Sequence, residues 1–150
     1  MAAAVILSFT GLPAKGHAAD AGRVWKSPTC GCCKAWVTHM QSKGFPLEVS
    51  EVSTAELNTI KTTNGVTGKY ASCHTAKISG YVIEGHVPAE AVSRLIAEKP
   101  DALGLAVPGM PAGSPGMETD GPGDPYDVVL IKKDGTSEIF AHYPAAPAKP

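Results

Sequence analysis

Three of the chain's four cysteines fall within four residues, Cys30-Gly31-Cys32-Cys33, and the fourth, Cys73, is followed at once by His74. A purely structural disulfide framework spreads its cysteines along the chain, and this chain does not. A Cys32–Cys33 bridge would be vicinal and strained. Cys30 and Cys33 have the Cys-x-x-Cys spacing, in which the first thiol sits near a helix N-terminus and its pKa falls. Thiolates are also soft ligands, suited to Cu(I), zinc and iron–sulfur centres rather than to hard cations. Zinc usually closes its site with two well-spaced pairs, and the adjacent Cys73-His74 is not such a pair. Any fold for this chain must therefore carry residue 73 to residues 30–33. Ligand softness favours a copper-type site ahead of a redox dithiol, with zinc or iron–sulfur behind both.

The local pattern sets the motif at a strand-to-helix junction. Residues 23–27 read as a short strand that Pro28 and Thr29 end, with Thr29 as the expected helix cap. Apolar residues then recur at Cys33, Trp36, Val37 and Met40, which is helical spacing, and Gly44 stops the helix. On such a helix Cys32 and Cys33 point about 100° apart. Residues 45–52 read as a second strand. Ser53-Thr54 opens a second helix with Leu57 and Ile60 on one face, and Asn64-Gly65 ends it. Residues 66–75 lack a period and are expected to be a loop facing the first motif. Residues 78–83 form an extended segment. Pro88 stands near the first turn of a third helix, which buries Val92, Leu95 and Ile96 and closes at Pro100. Residues 104–125 are rich in Gly and Pro and carry Met110 and Met117 where neither helix nor central strand can form. Asp134-Gly135 marks a hairpin turn between strands 126–131 and 136–143.

At 150 residues the chain is one domain, with 43% hydrophobic residues to build its core. Its 13 basic and 14 acidic residues give a net charge of −1, which excludes the electrostatic footprint of a nucleic-acid binder. Residues 2–12 are an apolar run of signal-peptide length, too short to span a bilayer, with cleavage expected after Ala18. No Lys or Arg precedes the run, which points to a start inside a longer leader. The expected organisation is a signal peptide over residues 1–18, one metal-binding domain over 23–143 and a disordered tail over 144–150. The exported chain, with no membrane span, would work in an oxidising compartment.

The strand–helix order, with a dithiol at the first helix start, matches a thioredoxin-like α/β layout: a central mixed sheet flanked by helices, with the Gly/Pro/Met-rich loop before a C-terminal β-hairpin. In that layout a proline loop faces the dithiol, and residues 107–108 would occupy its place. A cis bond at Pro108 or Pro111 is expected there. Several stretches together resemble one bacterial family. They are Trp25-Lys26-Ser27-Pro28-Thr29-Cys30-Gly31-Cys32-Cys33, Ser72-Cys73-His74-Thr75, Gly80-Tyr81-Val82-Ile83-Glu84-Gly85-His86-Val87-Pro88, Val107-Pro108-Gly109-Met110-Pro111 and Gly113-Ser114-Pro115-Gly116-Met117-Glu118. The family was long catalogued as a domain of unknown function, and its better-understood members are periplasmic copper-resistance proteins of the CopG type. The resemblance covers residues 23–143.

The resemblance implies a thioredoxin-like fold that has become a copper protein with a cysteine-bridged polynuclear copper cluster, and the function expected first is sequestration of Cu(I) in copper resistance, with a further redox role if the copper cycles between Cu(I) and Cu(II). Carried over by motif, the ligands would be Cys30, Cys32, Cys33, Cys73, His74, Met110 and Met117. His86, in Gly-His-Val-Pro, is either a further ligand or a group that orients one, although a histidine at a helix start more often makes a capping or solvent contact. His39 and His142 read as surface residues, Trp36 as core, and Trp25 as a shield of the site from water. Lys34 and Lys69 read as solvated. The implied partners are copper ions and a copper-efflux or copper-handling protein. Two other functions fit parts of the pattern: a thiol–disulfide oxidoreductase using Cys30 and Cys33, and a copper donor to a pump or oxidase.

Overall fold

The computed structural model describes residues 21–148, so the expected signal peptide lies outside the described residues. Ten elements follow in order: β1 (Gly22–Lys26), α1 (Gly31–Ser42), β2 (Leu47–Glu51), α2 (Thr54–Thr63), β3 (His74–Ile78), β4 (Tyr81–Glu84), α3 (Ala89–Glu98), β5 (Ala102–Ala106), β6 (Tyr126–Lys132) and β7 (Ser137–Tyr143). All seven strands join one mixed sheet in the order β2-β1-β3-β4-β5-β6-β7. β1 runs parallel to β2, and β4 to β5; the other neighbouring pairs are antiparallel. The α/β class and the helix-flanked mixed sheet are those the sequence implies.

Period-two alternation along the strands separates two cores. One face carries Val24, Ala76, Ile78, Ile83, Leu105, Val128 and Leu130, packed against Trp36, Val37 and Met40 of α1 and Val92 and Leu95 of α3. The other carries Val82, Ala106 and Ile131 against Val66 and Tyr70. Lys61 of α2 reaches Thr75 of β3 and Glu84 of β4, the strand positions that alternate with the first core. The helix stops follow local chemistry. The Ser53 hydroxyl accepts from the Glu56 N–H to start α2. Asn64 ends α2, and α3 runs from the N-cap Pro88 to the left-handed Lys99, one residue before Pro100.

Several expectations are corrected. The cap of α1 is Cys30, whose sulfur accepts from the Cys33 N–H, while Thr29 pairs with Ser27. Residues 78–83 are not one extended segment but the end of a hairpin, with Ser79 and Gly80 both at positive φ in its turn. Two hairpins therefore exist, and the one beside β1 is β3–β4. The loop leading directly into it is the one that ends at Cys73, so Cys73 rather than residues 107–108 precedes the inner hairpin. β5 was unexpected: it is a buried strand at the start of the Gly/Pro-rich stretch. At Gly104 a Cβ would lie 1.8 Å from the Val82 carbonyl oxygen, which is why a glycine stands inside that strand. The expected cis bonds at Pro108 and Pro111 are trans, as are all peptide bonds of the described residues.

The rest of the Gly/Pro stretch is knitted to itself. Gly113 N–H donates to the Met117 carbonyl (2.8 Å), Met117 N–H to that of Ser114 (2.7 Å), and Asp124 N–H to that of Ala112 (2.8 Å). The tail, expected to be without structure, has an anchor in this loop: the Ala146 carbonyl accepts from Gly123 N–H at 2.9 Å.

Candidate metal centre

The first turn of α1 delivers three sulfurs to the sheet end where β3 begins. Cys30, Cys32, Cys33 and Cys73 present their four sulfurs within 4.8 Å of one another. The 100° separation along a helix does not part Cys32 from Cys33, because the cluster lies off the end of α1 rather than along one side. Cys30 and Cys33 are joined as a disulfide, and Cys32 and Cys73 are free. Cys32 Sγ lies 3.5 Å from Cys30 Sγ. Cys33 is fully buried, whereas Cys30, Cys32 and Cys73 are half-buried.

Cys73 also belongs to a second group. Its sulfur lies 2.9 Å from His86 Nε2 and 3.3 Å from His74 Nδ1, and the ligand atoms of Cys73, His74 and His86 lie within 4.8 Å of one another. His86 is buried, not capping and not solvated. The Pro115 carbonyl lies 2.8 Å from its Nδ1. A carbonyl only accepts, so Nδ1 carries the proton and the Nε2 lone pair faces Cys73. That is the arrangement in which a metal-binding imidazole is held by a backbone carbonyl on its far nitrogen. His74 is wedged beside Trp36, ring centroids 4.4 Å apart. Its Nε2 is the one buried side-chain nitrogen or oxygen without a partner among the described residues. A buried orphan of this kind costs about 1–3 kcal/mol.

The electrostatics favour the neutral forms of Cys73, His74 and His86. Burial, then the adjacent Cys32, pushes the Cys73 thiol up to about 12. Burial holds both imidazoles below their ordinary range, reinforced at His74 by the charges of His86 and Lys61. Neutral imidazole is the ligand form, and a metal must displace the Cys73 proton. The same shifts set a pH dependence of stability. In the unfolded chain the imidazoles take up protons near about pH 6.5, while the buried ones resist. The folded pKa is depressed, so this stability is complete above about pH 6.5 and is lost as the pH falls. Urea unfolding of the metal-free protein should lose up to about 1.4 kcal/mol per pH unit for His74 below that point, with His86 adding in the same direction. A flat profile between about pH 7 and pH 5 would show that the imidazoles are freely protonated in the fold.

The loop bearing the methionines closes over this end. A Cβ on Gly116, at φ 87°, would lie 2.7 Å from both the Cys32 carbonyl oxygen and the Trp36 amide nitrogen. Only glycine permits that approach, and the next residue, Met117, is half-buried. Gly109 is tied to the Cys73 segment: its N–H donates to the Ala71 carbonyl (3.3 Å), and its carbonyl accepts from the Ser72 hydroxyl (2.5 Å). Met110 follows it and is 54% exposed. Met117 thus follows the glycine that touches α1, and Met110 follows the glycine tied to the Cys73 segment. Lys69 stands over the Tyr70 ring, 4.6 Å from its centroid, and His39 receives the Ala89 N–H at the start of α3 (3.4 Å); neither joins the cluster.

A group that the sequence reading passed over supports Cys73 from the opposite sheet face. Glu84 is fully buried. One of its oxygens accepts from Lys61 Nζ (2.5 Å) and from the Ser72 N–H (2.7 Å); the other accepts from the Thr75 hydroxyl (2.6 Å). Burial raises the Glu84 carboxyl above its usual range against the pull of Lys61. Glu84 thus holds, from a strand, the backbone amide of the residue before Cys73.

The family model described as "Protein of unknown function, DUF411" matches residues 70–117, the span from before Cys73 to Met117. Two solved structures share the fold. One, titled copper resistance protein copG form 2, is 41% identical with a TM-score of 0.76, covering 83% of this chain and 98% of that one. The other, form 1 under the same title, is 40% identical with a TM-score of 0.77, covering 83% and 97%. The chain belongs to the CopG family. No curated protein sequence matches it. The two convergent groups, and not the Cys-x-x-Cys spacing alone, make up the candidate site. The register of the inner hairpin was the signal for His86: β3 and β4 pair Ile78 with Tyr81 and Thr75 with Glu84, and two further steps outward set Cys73 opposite His86.

Proposed function

We propose that the protein is a periplasmic copper-binding protein of copper resistance or homeostasis. It holds Cu(I) on Cys30, Cys32, Cys33 and Cys73 with His74, and with Met110 and Met117 as thioether ligands. The observation that carries this reading is that Cys73 is common to a four-sulfur and a sulfur–two-imidazole group. A thiolate shared by two ligand groups bridges metals, so the donor set favours a cysteine-bridged cluster over a single ion. His86, oriented by the Pro115 carbonyl, serves as a further ligand or as the group that accepts the Cys73 proton when copper enters. Copper bound there would cycle between Cu(I) and Cu(II), as the mixture of soft sulfur and imidazole donors allows. The relatives' titles support the copper assignment. The order β2-β1-β3-β4, with a helix between the parallel pair, supports a thioredoxin-like core, and residues 1–18 act as the export signal. A copper-efflux or copper-handling protein is the partner that would receive the cargo.

The Cys30–Cys33 disulfide favours a second reading, a thiol–disulfide oxidoreductase. Against it stand two spare thiols close to the pair, which invite off-pathway exchange. Anaerobic titration of the reduced protein lacking residues 1–18 with Cu(I), against a competing chelator, separates the two. More than one tightly held copper per chain, with thiolate-to-copper charge-transfer absorption, is the expected result. Weak binding together with efficient metal-free insulin reduction would select the oxidoreductase.

A further inference from the structure

A cleft of about 480 Å³ opens beside Cys30, between α1 and the edge strand β2. Its lining includes Lys26, Cys30, Lys34, Val37, Val49 and Glu51, and none of Cys32, Cys73, His74 or His86. It therefore reaches one sulfur of the disulfide from a side that the other ligands do not occupy. We propose that this cleft binds a small anionic thiol that reduces the Cys30–Cys33 disulfide by attack at Cys30.

Three features select that occupant. The volume lies in the range of small-molecule sites, about 300–1,000 Å³, and suits a molecule rather than a protein face. The charge is positive on balance. Lys26 is neutralised by Glu51, Nζ to Oε1 2.9 Å, while the exposed Lys34 has no ion-pair partner among the described residues. The first-turn amides of α1 add to the positive field at Cys30. Finally, the sulfurs differ in access: Cys30 is half-buried and borders the cleft, whereas Cys33 is enclosed. The incoming thiolate bonds to Cys30 Sγ as the Cys30–Cys33 bond breaks, and Cys33 leaves with the electron pair. A second small thiolate then attacks the mixed disulfide at the sulfur of the first small thiol, and Cys30 leaves with the electron pair. The sum is two small thiols oxidised to one small disulfide, and one protein disulfide reduced to two thiols. The inference rests on the copper reading only for its consequence, since the reduced pair supplies two of the cluster's four thiolates.

The test uses oxidised, metal-free protein, so its outcome is independent of the copper titration. Reduction by 2-mercaptoethanesulfonate is compared with reduction by 2-mercaptoethanol at equal thiolate concentration. The sulfonate should show a saturating rate and an advantage of about fivefold, the worth of one exposed ion pair. Its S-methyl analogue, which cannot reduce, should inhibit it competitively. Lys34→Gln should bring the two reductants within about twofold of each other. Val49→Trp, which fills the cleft from an exposed strand position, should slow the sulfonate more than it slows mercaptoethanol. The trapped mixed disulfide should map to Cys30. Rates that stay linear in concentration, indifference to the methylated analogue, or trapping at Cys33 would each overturn the proposal.

Discussion

Cys73→Ser should abolish most copper binding, a greater loss than that of any other single thiol. Cys73 is the one residue in both ligand groups. Cys33→Ser removes a sulfur from the quartet and prevents the disulfide, but it leaves Cys73, His74 and His86 together. Loss of a group that merely orients a ligand costs roughly 10- to 100-fold in metal affinity, so loss of a thiolate shared by two groups should lie at or beyond the upper end. Serine is nearly isosteric, and Cys73 is half-buried rather than packed in the centre, so the fold should survive. The measurement is copper per chain and chelator-competition affinity for the wild type, Cys73→Ser and Cys33→Ser, each reduced and anaerobic. The expected order of retained copper is wild type, then Cys33→Ser, then Cys73→Ser. Full loading of Cys73→Ser would show that the two groups are not one site.

The helices and most strands were legible because their cues are local. Cys33, Trp36, Val37 and Met40 repeat at helical spacing and are all buried; Ser53-Thr54 and Asn64-Gly65 bracket α2 by local chemistry alone. β5 was not legible. Its sequence, Ala-Leu-Gly-Leu-Ala, has neither β-branched residues nor polar–apolar alternation, and it is a strand because β4 and β6 lie on either side of it. The thiol quartet was legible from residue type, since few arrangements of four such cysteines avoid converging. His86 was harder, because its role depends on a hairpin register set by Ser79-Gly80, thirteen residues along the chain from Cys73 to His86. Glu84 was invisible for a different reason. Nothing in a strand's sequence says whether an acidic residue meets water or a lysine from a helix twenty-three positions earlier.

Glu84→Ala should cost about 3 kcal/mol of stability, because it leaves the Lys61 ammonium buried without its partner. The side chain is fully enclosed and makes bonds to Lys61, Thr75 and the Ser72 amide at once. Urea unfolding of the reduced, metal-free protein measures the loss, and a loss below about 1 kcal/mol would mean that water reaches Lys61 in the fold. That result alone would not separate a support for Cys73 from ordinary core stability. The double change Lys61→Met with Glu84→Leu does. Replacing a buried ion pair by apolar side chains of similar volume is often neutral in stability, so the double variant should lose less stability than Glu84→Ala, with the unpaired Thr75 hydroxyl as its main cost. It still lacks the carboxylate that holds the Ser72 N–H at 2.7 Å. Its copper affinity should therefore fall by roughly tenfold, the lower end of what loss of a ligand-orienting contact costs, and its charge-transfer band should broaden as Cys73 samples more positions. A stable double variant with wild-type affinity would show that the ion pair serves the fold alone. A stable one with weakened binding would place the network, on the far side of the sheet from His74, among the groups that set the geometry of the site.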